Sequence, residues 1–469
     1  MNASKPHNRL NDITEAIGNT PLVRLNKMGK GLGSEIWVKC EHLNPSGSIK
    51  DRIAIYMIEK AAESGELKPG GLIVENTSGN TGQGVAMVAA VKGYRCIFTM
   101  PDKMSQEKAD GMKAYGAKVV VTPTNVPAES PQSYYETAKR IHRETPGSYY
   151  VNQYHNPVNT EAHYHLTGKE IWEQTEGQVT HIVAGVGTFG TFAGIAKYLK
   201  EKNPKIKCIA VDPHGSIFYS MWKTGKMSEP FVYKVEGMGE DMITGNMDLS
   251  LVDDMFQVDD NMCFSNARRM CREEGIMAGG SSGGAVHAAI EVAKTAPKGS
   301  VIVTILPDSG TRYLSKMYND EWMRDNGLLS EPSKLGTVRE LLASRVPHTL
   351  IFVRSEEKVG DVITCMKNNG ISQLPVMDND KVLGLIHEAD MLKFMLSGIG
   401  TAHSSIEPIV QSDFPCVAED ESLDSLSQIF TRMKHEAVMV LRDDVPRDII
   451  TKIDLIDYLL HKSSSNGKA

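Results

Sequence analysis

The chain has 469 residues, 41% hydrophobic and 23% charged, with a formal net charge of −7; these are the proportions of a globular protein of about three domains, and the acidic balance argues against a nucleic-acid partner. No apolar run reaches the roughly 18 residues of a membrane span, and the polar stretch from Met1 to Asn11 lacks the apolar core of a signal peptide, so a cytoplasmic protein with no membrane partner is expected. Seven scattered cysteines with no Cys-x-x-Cys pair, and 14 histidines without ligand spacing, predict reduced thiols and no bound metal.

In chain order, an apolar run at 36–38 predicts the first strand. It is followed by Glu41-His42-Leu43-Asn44-Pro45-Ser46-Gly47-Ser48-Ile49-Lys50-Asp51-Arg52, a Pro/Ser/Gly turn that sets Lys50 just before an amphipathic helix at 53–63. Unpaired N–H groups at a helix start oppose a second positive charge. A lysine disfavoured as a cation attacks carbonyls and forms Schiff bases, which points toward pyridoxal phosphate. The other reading is a solvated lysine at a helix start.

A strand at 72–74 runs into Glu75-Asn76-Thr77-Ser78-Gly79-Asn80-Thr81-Gly82-Gln83-Gly84 and a helix at 81–92. The glycines admit a ligand to the backbone, while Thr77, Ser78, Asn80 and Thr81 supply more donors than a helix cap needs. At a helix N-terminus this suits a carboxylate. Strands at 97–100 and 118–122 and helices at 105–115 and 161–174 follow. The strand at 181–186 then meets Gly187-Thr188-Phe189-Gly190-Thr191 before a helix at 191–201. Consecutive N–H groups, two hydroxyls and a helix dipole make this loop a phosphate cradle, although it is neither a Walker A loop nor Gly-x-Gly-x-x-Gly. After a strand at 206–211 and a helix at 282–294, a strand at 301–306 ends in Pro307-Asp308-Ser309-Gly310. A serine at such a strand end is either a turn residue or a neutral donor to a pyridine nitrogen, which suits β-elimination and β-replacement. Alternating strands and helices imply an α/β fold with mostly parallel sheets and ligands at the C-terminal strand ends.

Residues 326–336 read as a linker, leaving 1–325 as a catalytic domain. Beyond it, Val376 and Asp390 recur as Val440 and Asp454 in similar surroundings, both at an offset of 64 (440 − 376 and 454 − 390). This predicts a tandem pair of small α+β modules, 337–400 and 401–462, with 463–469 as a tail.

Lysine, carboxylate loop, phosphate loop and strand-end serine, in this order, resemble the cystathionine β-synthase family of fold-type II pyridoxal-phosphate enzymes. The resemblance extends to Asn152-Gln153-Tyr154, Val235-Glu236-Gly237-Met238-Gly239-Glu240-Asp241 and Gly279-Gly280-Ser281, and the terminal repeat resembles paired CBS domains. It implies that Lys50 holds the cofactor and moves the Cα proton, that Asn80 meets the ring hydroxyl, that Gly187, Thr188, Phe189, Gly190 and Thr191 take the phosphate, and that Ser309 meets the ring nitrogen. Thr77, Ser78, Thr81 and Gln153 would hold the substrate carboxylate, with Tyr154 close by. The implied reaction replaces the β-substituent of serine or O-acetylserine with the thiolate of homocysteine, giving cystathionine, a transsulfuration step toward cysteine. By the same resemblance a homodimer or higher homo-oligomer is expected. The resemblance further implies at most one good site for an adenosyl ligand such as S-adenosylmethionine, near Thr451 and Asp454, because in the first repeat Asp390 is kept but His387 replaces the threonine. A CBS pair that only dimerises or caps the enzyme is the competing reading.

Three departures from the family bear on this. The 49 residues before Lys50 show no Cys/His haem-ligand segment, so no haem is expected. Phe189 replaces the middle glycine of the usual phosphate loop. Glu240 stands where animal relatives often carry tyrosine, at the mouth of the site, which leaves serine and O-acetylserine open as donors. Cysteine synthase, a dehydratase and an adenosyl sensor with an inert catalytic half are the alternative functions. The retention of Lys50, Asn80 and Ser309 together speaks against the last.

Overall fold

The computed structural model describes residues 9–466 apart from 103, 105, 128, 330–334, 347, 348, 379, 380, 432–434, 443 and 444. Position 105, the expected start of one helix, part of the expected linker and the end of the expected tail lie outside the described residues. The chain divides into two compact units, Met1–Leu329 and Ser330–Ala469.

In the first unit the strands are β1 (Leu22–Arg24), β2 (Glu35–Lys39), β3 (Leu72–Asn76), β4 (Arg95–Pro101), β5 (Lys118–Thr122), β6 (Tyr149–Tyr150), β7 (His181–Gly185), β8 (Lys207–Pro213), β9 (Asp254–Val258) and β10 (Val301–Ile305). They form a six-stranded sheet in the order β1-β2-β10-β7-β8-β9 and a four-stranded sheet in the order β5-β4-β3-β6. Only the edge pair β1–β2 is antiparallel. The strands are apolar on both faces because helices cover both: Val38, Val183 and Val211 pack on one side of the six-stranded sheet, and Ile182, Ala210 and Val303 on the other. The four-stranded sheet has its own core around Ile73, Phe98 and Val88. Because β3 to β6 are inserted between β2 and β7, the helix Lys50–Glu63 carries the chain from one sheet to the other. Lys50 therefore stands at the junction of two parallel sheets.

The unit runs past the expected boundary at 325, with Leu328 packed against the core of the larger sheet. In the second unit, β11 (Gln373–Asp378) pairs with β12 (Lys381–His387), and β13 (Cys416–Ala418), β14 (Ala437–Arg442) and β15 (Val445–Thr451) form a three-stranded sheet. The repeat persists in the register. Val376 faces Gly384 and Val440 faces Asp448, each just before a β-bulge, and Val353 and Val417 bridge Val376 and Val440 in parallel. The cores, however, do not divide linearly at 400 as expected. Val338 and Leu341 pack in the core of the second repeat, and Ile406 in that of the first. Each module buries a segment that lies before it or beyond it in the sequence, which periodicity alone does not reveal.

Candidate active site

The C-terminal ends of β3, β7 and β10, with the turn after β6, surround a cavity of ≈ 730 Å³. Lys50, Ser78, Asn80, Thr81, Gln153, Tyr154, Gly187, Thr188, Phe189, Thr191 and Glu240 line it. Lys50 opens its helix with its N–H 3.3 Å from the Ser48 hydroxyl. Burial pulls its amine down to about 8, against the opposing pull of the Glu240 and Asp308 carboxylates.

Thr77 does not line the cavity. Its Oγ1 accepts the N–H groups of Gly79 (3.0 Å) and Gly82 (3.2 Å), so it shapes the loop rather than facing a ligand. Gly79 has φ of 130°, a conformation open to glycine, and a Cβ there would lie 2.5 Å from Lys108. Thr81 donates to Gln153 Oε1 (2.6 Å), and Gln153 Nε2 donates to the Asn76 carbonyl (3.2 Å). Gln153 is held from behind by Glu75, which accepts the N–H of Asn152 at 2.7 Å and of Gln153 at 3.4 Å. Burial pushes the Glu75 carboxyl up to about 8. The Tyr154 and Tyr134 hydroxyls lie 3.2 Å apart, and Tyr135, edge-on to Tyr154, also lines the cavity. Glu240 is fixed by its backbone, N–H to Ser216 Oγ (3.1 Å) and carbonyl to the Ile217 N–H (3.1 Å).

The loop after β7 caps the helix Gly190–Lys202. Phe189 takes the left-handed conformation, φ 69°, and buries its ring against Phe192 and Phe218. The loop keeps a glycine-type backbone and pays for the side chain with a packed aromatic trio. Gly190 does not line the cavity, and Asn159 leaves no room for a Cβ at this position.

Ser309 is not where the motif places it. Beyond β10 the chain turns away, and the Ser309 side chain caps the short helix Gly310–Tyr313, accepting from the Thr311 N–H and lying 2.8 Å from its hydroxyl; it does not line the cavity. A serine that does reach the wall is Ser281, in the first turn of the helix Gly280–Thr295 and 3% exposed. The segment Gly279-Gly280-Ser281 carried this signal without a role. Asp308 also stays off the wall, accepting from Tyr313 Oη (2.6 Å) and Asn80 Nδ2 (2.8 Å). A second residue that the sequence motifs include without a role is Glu236, which grips Lys108 (2.5 Å) of the smaller sheet's helix Gln106–Ala114 and Lys316 (2.6 Å), beyond β10.

In the second unit a cavity of ≈ 660 Å³ is lined by Thr451, Asp454, His387 and Arg345, among others; Asp390 is not on its wall. Asp454 Oδ2 accepts from the Thr451 N–H (2.7 Å) and hydroxyl (2.6 Å), while Oδ1 lies 3.4 Å from Arg345 Nε. Asp390 instead caps its own helix and accepts from Gln411 Nε2 at 3.1 Å.

Residues 13–308 match the family described as pyridoxal-phosphate dependent enzyme, and residues 338–397 and 406–461 match CBS domains. The chain belongs to the cystathionine β-synthase family. It is 38% identical to the cystathionine beta-synthase of Apis mellifera over 97% of this chain and 92% of that one, and 41% identical to that of Mus musculus over 94% and 79%. The crystal structure of an O-acetylserine dependent cystathionine beta-synthase from Helicobacter pylori superposes with TM-score 0.61 at 37% identity, covering 66% of this chain and 98% of that one. The family's cofactor is pyridoxal phosphate, and the residues present fit it: a depressed amine, a loop with two threonine hydroxyls at a helix start, and a neutral serine on one wall. Among the described residues no helix is long and apolar enough to cross a membrane, and no His/Cys/Asp/Glu group could hold a metal ion.

Proposed function

We propose that this enzyme condenses L-homocysteine with L-serine or O-acetylserine to give cystathionine by β-replacement. The observation that carries the reading is the convergence, on one cavity, of the depressed Lys50 amine with two helix-start loops, one from each sheet. When bound, pyridoxal phosphate supplies an electron sink for loss of the Cα proton and of the β-substituent. Lys50 would hold it and, once released, carry the Cα proton. Gly187, Thr188, Phe189 and Thr191 would bind its phosphate through backbone N–H groups and hydroxyls, with Gly190 set behind them. Asn80 would meet the ring hydroxyl. Ser281, rather than Ser309, would meet the ring nitrogen with a neutral donor. Ser78, Thr81 and Gln153 would hold the amino-acid carboxylate, with Thr77 keeping their loop in shape. Glu240 and Tyr154 would bound the space for the second substrate.

The test is to mix the purified protein with homocysteine and either donor and identify the product by mass spectrometry. Cystathionine is expected; its absence with both donors, with cysteine formed from sulfide instead, would replace the reading with cysteine synthase. In the second unit, the cavity at Thr451 and Asp454 would take an adenosyl compound, with S-adenosylmethionine the first to try. Its coupling to catalysis requires different affinity for two arrangements of the enzyme.

A further inference from the structure

The hydroxyls of the loop after β7 each carry one proton, and a bound phosphate needs that proton aimed at it. The orientation is decided behind the loop. Residues 158–174 form a continuous helical run with a π-helical turn at His163–Gly168. It packs so closely on the helix Gly190–Lys202 that a Cβ at Gly194 would lie 2.4 Å from the Thr160 carbonyl oxygen. Asn159 and His163, four residues apart and so on one face, both reach the loop. His163 is fully buried, with Nδ1 2.9 Å from Thr167 Oγ1 and Nε2 3.1 Å from Thr191 Oγ1.

Proton accounting fixes the direction of this chain. Thr167 is also fully buried, and among the described residues its hydroxyl has no other hydrogen-bond partner. A buried hydroxyl that fails to donate is costly, so Thr167 donates to Nδ1. With Nδ1 an acceptor, the neutral ring carries its hydrogen on Nε2. Burial, reinforced by the Lys50 and Arg52 cations, keeps the ring neutral. Nε2–H then donates to Thr191 Oγ1, and the Thr191 proton is left for the cavity that this residue lines. Asn159 repeats the arrangement. Its Nδ2 donates to the Gln153 carbonyl (2.8 Å), which can only accept, and to Thr188 Oγ1 (3.1 Å).

We propose that His163 and Asn159 are positioning residues that hold the Thr191 and Thr188 hydroxyls as donors toward the cofactor's phosphate. This rests on the reading of that loop as the phosphate site. A phosphate dianion accepts and does not donate, so a hydroxyl whose proton was spent on the protein would repel it, whereas one supplied from behind makes a strong charge-assisted bond.

The apoenzyme, titrated with pyridoxal 5′-phosphate and with pyridoxal, separates phosphate recognition from the rest of binding. His163→Leu is expected to weaken the phosphorylated ligand on the order of tenfold and to leave pyridoxal within about twofold. It should also move the ³¹P resonance of the bound cofactor. His163→Gln, whose amide N–H can stand in for Nε2–H, should restore both. Equal weakening of the two ligands, an unmoved ³¹P signal or no rescue by glutamine would overturn the proposal. Should His163→Leu not fold, ¹⁵N-histidine labelling of the unaltered holoenzyme decides. A hydrogen on Nε2 with bare Nδ1 from pH 6 to 9 supports it, and a hydrogen on Nδ1 defeats it. If Thr188→Val and Thr191→Val leave the affinities for both ligands unchanged, the loop is not the phosphate site, and reading and proposal fall together.

Discussion

A lysine amine near 8 exists largely as the reactive base at mildly alkaline pH, and here burial rather than a cationic neighbour is the main cause. Reductive methylation of the apoenzyme, followed by mass spectrometry at Lys50, should show a midpoint near 8. Glu240→Gln removes a carboxylate that favours the cation and should move that midpoint lower. The linkage sign follows: between about 8 and the 10.5 of a free lysine, the unfolded chain binds the proton and the native state does not, so this group's contribution to stability rises with pH across that window. The two serines give a second check. Ser281→Ala should lower the β-replacement rate on the order of tenfold, the effect of one hydrogen bond to a reacting system. Ser309→Ala, which disturbs only a cap, should stay within about threefold in kcat/KM; the reverse ranking would return the ring nitrogen to Ser309.

Among the elements, Phe189 sets two effects against each other. Its left-handed backbone costs about 1–2 kcal/mol, whereas truncating a buried phenylalanine costs about 3–5 kcal/mol. Phe189→Gly should therefore destabilise the first unit by about 1–4 kcal/mol in urea titrations, even though glycine suits the turn better. The start of the lysine helix is held by a buried ion cluster: Arg52 binds Glu41 (2.7 Å) and Glu170 (2.7 Å), and Lys39 binds Glu170 (2.7 Å). Arg52→Met strands Glu41 away from water and should cost about 3–5 kcal/mol by the same measurement. Neither the aromatic trio nor this cluster was legible in the sequence, because their members are far apart in the chain. What was legible is local: the apolar runs of β2 to β5, β7, β8 and β10, the glycine turns, and Lys50 beside its turn. β6 has two residues and β1 three, too short for any periodicity, and β9 went unread between polar neighbours. Ser309 misled because a strand-end position says nothing about where the side chain points, while Ser281 is presented by a helix start.

For the whole molecule, the repeat was readable as an offset of 64, but the exchange of segments between the modules was not, since Val338 and Ile406 join cores remote in sequence. If the second cavity takes S-adenosylmethionine, calorimetry on the full-length holoenzyme should show heat that Asp454→Ala abolishes and Asp390→Ala retains; equal loss from both would contradict a single site at Thr451 and Asp454. The first unit holds a further consequence in Glu236, whose carboxylate is kept below its ordinary range by Lys108 and Lys316 despite its burial. Its contribution is complete above the unfolded value of 4.5 and fades as pH drops through the lower native one. Because Lys108 lies on the smaller sheet's helix and Lys316 beyond β10 of the larger sheet, protonating Glu236 in strong acid should weaken this tie across the cleft.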